Sequence, residues 1–158
     1  MKILVVMPFY NEGNISKKFS EEIIEVLNND VQQSFDYLLI DDFSIDDTFD
    51  NLLSLEKNYD CVKVFKNKNN YGHGKTVVRG YQYGKENGYD VVVQIDGDNA
   101  AEPTSIIDLI KSDHIMKFRD ENEAVRFHSI IKKELPKDKQ VTICSATADP
   151  MFYSKLVD

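Results

Sequence analysis

The stretch VVVQIDGDNAAEP, residues 91–103, decides how the rest of the chain is read. An apolar run ends, and two carboxylates, Asp96 and Asp98, follow with only Gly97 between them. A nearly continuous Val/Ile run of this length is what a strand buried on both faces requires, which is the signature of a parallel sheet covered by helices. Two like charges at the strand's tip repel, and one would take up a proton unless something positive stands beside them. A hard divalent cation such as Mg²⁺ or Mn²⁺ supplies that charge and takes carboxylate and phosphate oxygens as ligands. Asp and Gly are also ordinary turn residues, so the D-G-D triplet alone would read as a turn.

The surrounding pattern favours the cation. Four further apolar runs stand out: ILVVMPF (3–9), YLLID (37–41), VKVF (62–65) and VTICSA (141–146). Helical spacing lies between them. Ile15, Phe19, Ile23 and Leu27 recur every four residues and predict one face of a helix after the first strand. Phe49, Leu52, Leu53 and Leu55 predict a second, with Ser44 or Asp46 near its start as a cap. Val77, Val78 and Tyr81 predict a third, stopped by Gly88 as a C′ residue. Pro103 suits the first turn of a fourth through Ile106, Ile107 and Ile110, and residues 120–135 carry a helical face as well. Strand and helix in alternation mean an α/β fold with a mostly parallel sheet and helices on both faces. Its polar residues gather where the strands end: Asn11 and Glu12, Asp41 and Asp42, Asn67 and Asn69, Asp96 and Asp98. In a parallel sheet these positions share one edge, the edge at which open α/β sheets bind ligands.

Composition limits the function. The chain has 158 residues, 42% hydrophobic and 29% charged, which suits one soluble domain. Its net charge of -8 argues against general nucleic-acid binding but leaves room for a phosphorylated small molecule held by local donors or a metal. No apolar run approaches the roughly 20 residues of a transmembrane span. The opening MKILVVMPFYNE reads as a first strand and not as a signal peptide. Cys61 and Cys144 form no metal pattern and read as reduced core residues of a cytoplasmic protein.

Four ordered motifs then resemble one family. VVMPFYNEGNI, LLIDDFSIDDT, NKNNYGHGKTVVRGYQYG and VVVQIDGDNAAEP are similar, in that order, to signatures of the inverting family 2 nucleotide-sugar glycosyltransferases. The nearest subgroup is the polyprenyl-phosphate sugar transferases and related polysaccharide-synthesis enzymes. The resemblance covers residues 3–110 and implies a GT-A, Rossmann-like fold. It implies that Pro8, Tyr10 and Glu12 line the base and ribose pocket. Asp42 would bond the nucleobase with Asp41 supporting its loop, Asp96 would sit near the ribose, and Asp98 would ligate Mg²⁺ or Mn²⁺ on the diphosphate. Lys75 and Arg79, four residues apart on one helical face, could approach that diphosphate or simply form a solvated basic pair. His73 reads as a loop residue, and Asp46 and Asp47 as charges at a helix N-terminus.

The implied partners are a nucleotide-diphosphate sugar donor and a hydroxyl acceptor, either a sugar or a polyprenyl phosphate. The implied place is the cytoplasm, peripheral to the inner membrane face. Beyond residue 110 the resemblance weakens, so the single domain 1–158 divides into a nucleotide-sugar-binding part, 1–110, and a reduced acceptor-side part, 111–158. A second copy or a partner subunit could complete the acceptor surface. An inverting mechanism needs a base for the acceptor hydroxyl. Asp149 stands at a suitable place for it, although an Asp before Pro150 also suits a helix cap. Two other readings remain open: a nucleotide-sugar-binding remnant without turnover, and a P-loop-like nucleotide hydrolase. The latter rests on GHGKT (72–76), whose first glycine position holds Asn69.

Overall fold

A computed structural model describes residues 2–29 and 34–97 and the backbone of 141–145. The order is β1 (Lys2–Phe9), α1 (Gly13–Asn28), β2 (Ser34–Asp41), α2 (Thr48–Asn58), β3 (Val62–Lys66), α3 (His73–Glu86), β4 (Val91–Ile95) and β5 (Val141–Ser145). All five predicted strands are present. The fourth helix expected from Pro103, and the helical stretch at 120–135, lie outside the described residues.

The strands form one sheet in the order β3-β2-β1-β4-β5. The first four are parallel, and β5 runs antiparallel along β4, with Val91 opposite Ser145 and Ile95 opposite Val141. The central strand β1 is buried from Ile3 to Phe9, and its alternation divides the core. Ile3, Val5, Met7 and Phe9 pack with Phe19, Ile23, Leu27, Leu52 and Leu55 of α1 and α2. Leu4 and Val6 pack on the other face with Val77 and Tyr81 of α3. Helices therefore cover both faces, which explains why the β1, β2 and β4 runs carry almost no polar residue.

On α3, Gly80 and Gly84 bring the helix against the sheet. A Cβ on Gly80 would lie 2.3 Å from Val6 Cγ1, and one on Gly84 2.5 Å from Val92 Cγ2. The helix ends as expected at Gly88, which has φ of +68°. The Tyr89 N–H reaches back to the Gly84 carbonyl at 3.0 Å and the Gly88 N–H to Lys85 at 3.3 Å, a Schellman closure. One helical expectation fails. Ile15 is 58% exposed, because the first turn of α1 carries it beyond the buried stripe of Phe19, Ile23 and Leu27. Cys61 is half-buried at the margin of the larger core, and nothing is described of the Cys144 side chain.

Candidate functional site

The chain moves outward from β1 to β3 through α1 and α2, then returns through α3 to lay β4 on the other side of β1. That reversal makes the carboxyl ends of β1 and β4 a topological switch point, where a crevice opens. A cleft of about 570 Å³ lies there, lined by Pro8, Phe9, Tyr10 and Glu12 after β1 and by Asp42 after β2. Asn70, Gly72, His73 and Thr76 line it from the β3–α3 segment, and Asp96 and Gly97 from the end of β4. Its volume is that of an ordinary small-molecule site, about 300–1,000 Å³.

The β1–α1 loop is shaped by a second loop. Asn11 and Phe43 both have positive φ, +54° and +66°, which is uncommon for Asn and strained for a bulky Phe. Asn11 donates its N–H to Ser44 Oγ at 2.9 Å, and its Oδ1 accepts the Ile45 N–H at 2.9 Å. Thr48 Oγ1 accepts the N–H groups of Glu12 (2.9 Å) and Gly13 (2.8 Å) and donates to Asp46 Oδ1 (2.6 Å). The hydroxyl thus uses its one donor and both acceptor sites. Asp46 Oδ2 accepts Gly13 N–H again at 3.1 Å. Burial raises the pKa of Asp46, but bonds from the Thr48 hydroxyl, the Thr48 N–H and the Gly13 N–H outweigh it and hold the carboxyl below its ordinary value. Ser44, Asp46 and Thr48, three polar members of SIDDT, therefore fasten the loop that follows β1 and carries Tyr10 and Glu12. Asp46 also accepts the Thr48 N–H at 3.0 Å, but the N-cap position of α2 is Asp47, which makes no side-chain cap bond, so neither Ser44 nor Asp46 is the cap expected there.

Asp42 organises the opposite wall. Its Oδ1 accepts from Asn67 Nδ2 at 2.7 Å and from the Tyr71 N–H at 2.9 Å, and its Oδ2 from the Gly72 N–H at 2.8 Å. Burial pushes its pKa up, and these bonds, together with the Thr76 hydroxyl, more than offset the push, so the carboxyl is held below its ordinary value. Asp41 is fully buried beside it, accepts the Ser44 N–H at 3.2 Å and lies 3.6 Å from Lys66 Nζ. It holds the Ser44 N–H of the following loop and does not line the cleft.

At the β4 end, Asp96 Oδ1 accepts from Gln94 Nε2 and lies 3.3 Å from His73 Nε2. Gly97 is required by a neighbour and not by turn geometry. A Cβ there would lie 2.5 Å from Phe9 Cδ1 and 2.7 Å from the Pro8 carbonyl oxygen. The chain after β4 can therefore come close to the end of β1 at Gly97.

Of the sequence-predicted residues, the cleft brings together Pro8, Tyr10, Glu12, Asp42 and Asp96. Asp98 and Asp149 lie outside the described residues. Lys75 and Arg79 do not line the cleft. Lys75 is exposed, while Arg79 Nη1 donates to Asn67 Oδ1 and its guanidinium lies 5.1 Å over the Phe65 ring, towards β3. A shared helical face is too coarse a guide, because it does not reveal the acceptor Asn67 just after β3. His73, a loop residue by its sequence, opens α3 instead and lies 3.3 Å from Asp96. Asn70 and Thr76 line the cleft as well, Thr76 as the second member of the K-T pair at 75–76. Thr76 is buried and accepts Asn67 Nδ2 at 2.9 Å, so its hydroxyl is engaged in the Asp42 wall.

Among the described residues no three His, Cys, Asp or Glu side chains stand together as a metal centre. Mg²⁺ and Mn²⁺ need less than that where a ligand brings phosphate oxygens, and one or two carboxylates then suffice. Asp96, an oxygen donor at the cleft rim two residues before Asp98, fits that requirement.

The family model for glycosyl transferase family 2 matches residues 4–143, which carries the family pattern past residue 110 and into β5. The undecaprenyl-phosphate mannosyltransferase of Micrococcus luteus is 29% identical over 114 residues, 71% of this chain and 44% of that enzyme. The crystal structure of S. aureus TarS 1–349 in complex with UDP is 26% identical with a TM-score of 0.50, over 70% of this chain and 31% of that one. Glucosyl-3-phosphoglycerate synthase from Mycobacterium tuberculosis, solved with Mn²⁺, UDP and phosphoglyceric acid, shares the fold. Its TM-score is 0.58 at 16% identity, over 92% of this chain and 56% of that one. The chain thus spans less than half the length of the mannosyltransferase it matches.

Proposed function

Since this chain belongs to glycosyl transferase family 2, we propose that its cleft receives the nucleoside diphosphate of a sugar donor and that the sugar passes to a hydroxyl acceptor with inversion. The observation that carries this reading is convergence: the ends of four parallel strands contribute to one cleft, with Tyr10 and Pro8 at the β1 end and carboxylates after β2 and β4. In this reading Tyr10 and Pro8 offer apolar surface to the base. Asp42, on the cleft wall after β2, is the proposed partner of a base N–H. Glu12 and Asp96 face the ribose.

Asp98 would hold Mg²⁺ or Mn²⁺, which when bound neutralises charge on the departing diphosphate. The acceptor oxygen forms its bond to the anomeric carbon as the bond from that carbon to the diphosphate oxygen breaks. Where the acceptor is a sugar hydroxyl its proton passes to a base, for which Asp149 is the proposed residue, whereas a phosphate acceptor attacks through an oxygen that is already ionised. The acceptor is a sugar hydroxyl or a polyprenyl phosphate, the latter suggested by the name of the Micrococcus relative. The acceptor side begins beyond residue 110 in this scheme, completed by a second copy or partner subunit. No described helix is long and apolar enough to cross a membrane, and a peripheral place at the inner membrane face accords with a polyprenyl acceptor.

Thermal-shift titration with UDP, GDP and dTDP, each with and without Mn²⁺, tests the donor site. One of the three should stabilise the protein, more strongly with Mn²⁺, and Asp42→Ala should remove the effect. No response to any of them, or a response to ATP lost in Lys75→Ala and kept in Asp42→Ala, would sink the proposal. Labelled nucleotide sugar then separates an active enzyme, which transfers or slowly hydrolyses it, from a binding remnant, which does neither.

A further inference from the structure

Asn67 sits buried at the end of β3, and both ends of its amide are committed. Its Nδ2 donates to Asp42 Oδ1 at 2.7 Å and to Thr76 Oγ1 at 2.9 Å, while its Oδ1 accepts from Arg79 Nη1. An amide turned by half a rotation would point its oxygen at the Asp42 carboxylate and leave two acceptors facing each other. What fixes the sense of the amide is the chemistry of its other neighbour. A guanidinium has only donors, so Arg79 can face only the oxygen, and the NH₂ group is thereby directed at Asp42. Asp42 in turn holds the Tyr71 and Gly72 N–H groups, at 2.9 and 2.8 Å, and Asn70, Gly72 and His73 form one wall of the cleft. The neighbouring charges are already spent: Asp41 turns to Lys66 and the Ser44 N–H, and the Arg79 guanidinium rests on Phe65.

We propose that Arg79 is a positioning residue for the cleft. Through Asn67 it orients Asp42, and Asp42 holds the 70–73 wall closed. Arg79 therefore shapes the site without touching what the site binds. Only the identity of the ligand rests on the donor-site reading; the dependence of the wall on Arg79 does not.

The test reads backbone amides of ¹⁵N-labelled, ligand-free protein. In the parent, the Tyr71 and Gly72 amide protons should lie downfield and exchange slowly, as protons held by a carboxylate do. In Arg79→Gln, which can present its carbonyl to Asn67, both should move upfield and exchange at least about tenfold faster. The amides of Asn87 and Tyr89, bonded to Tyr83 and Gly84 at the far end of α3, should be unchanged. Arg79→Lys should restore much of the protection, because an ammonium also only donates. Parent-like protection of Tyr71 and Gly72 in Arg79→Gln would overturn the proposal. If that variant does not fold, Asn67→Asp decides the matter. It keeps an acceptor for Arg79 and removes the donor to Asp42, so Tyr71 and Gly72 must lose protection, and retained protection would overturn the relay. A UDP titration of the same samples separates the two readings. Amide loss with no nucleotide binding even in the parent leaves the relay standing and removes the UDP-donor reading.

Discussion

Thr48 Oγ1 lies 2.8 Å from the Gly13 backbone nitrogen, so α1 is capped by a residue from the start of α2. The α1 N-terminus has no side-chain cap of its own. Helix N-termini leave several N–H groups without partners, and here two of them are served from another loop. Thr48→Val keeps the shape and removes the hydroxyl. It should cost about 1–3 kcal/mol, because the Glu12 N–H loses its acceptor in a part-buried setting. Urea unfolding measures this, and Thr48→Ser should recover most of the loss. An unchanged midpoint in Thr48→Val would mean that water replaces the cap at no cost.

Asp42 makes stability depend on acid. Its folded pKa is held below the ordinary value of 3.8, despite burial, by bonds from Asn67, Tyr71, Thr76 and Gly72. The folded state therefore binds the proton less readily than the unfolded chain. The stabilisation is fully present above the ordinary carboxylate value and is lost as the pH falls through the lower folded value. Asp42→Asn should be less stable than the parent at about pH 7, and the gap should narrow as the pH drops below about 4. Asp46 is shifted in the same direction, so the comparison must be between parent and variant and not between two pH values of the parent. A gap that stays constant through the acid range would show that the carboxylate's charge contributes nothing.

The fold was legible because burial on both faces leaves a plain mark. VVVQI and ILVVMPF carry almost no polar residue, and only a covered parallel sheet demands that. The cleft was partly legible for a topological reason: once four strands are parallel, the polar residues after each must converge, and Pro8, Tyr10, Glu12, Asp42 and Asp96 do. What stayed hidden depends on contacts between distant segments. Periodicity placed Arg79 on the same helical face as Lys75, but only the fold reveals that Asn67 accepts its guanidinium. Asp46 looked like a charge at the start of its own helix, yet it also holds Gly13, far back in the chain. His73 carried no pattern that pointed to Asp96, because the pair forms only when α3 and β4 meet at the rim.

The approach of α3 to the sheet gives a packing prediction. Gly80 leaves 2.3 Å between a new Cβ and Val6 Cγ1, and Val6 is fully buried on the central strand, with no free direction in which to move. Ala normally stabilises a helix over Gly by about 1 kcal/mol. Here the overpacking should outweigh that gain, for a loss of about 1–3 kcal/mol. Calorimetric melting of Gly80→Ala reads the net sign, and a raised melting temperature would mean that α3 lifts off the sheet without penalty.

Gly97→Ala should separate site geometry from fold stability. The new Cβ would lie 2.5 Å from Phe9 Cδ1 and 2.7 Å from the Pro8 carbonyl oxygen. Phe9 is almost fully buried and Pro8 belongs to the central strand, so the turn after β4 is what must yield. Turning it outward moves Asp96, and with it the start of the segment that carries Asp98, away from the cleft. The proposed diphosphate and cation site lies there. The affinity for the nucleoside diphosphate in Mn²⁺ should therefore fall at least about tenfold, equivalent to about 1.4 kcal/mol. The cap at Thr48 and the Asp42 wall lie on other loops and should keep their amide protection. Isothermal titration of the variant beside the parent measures the loss. Parent-like affinity with Mn²⁺ would place the diphosphate away from the β4 end, and the role given to Asp96 would go with it.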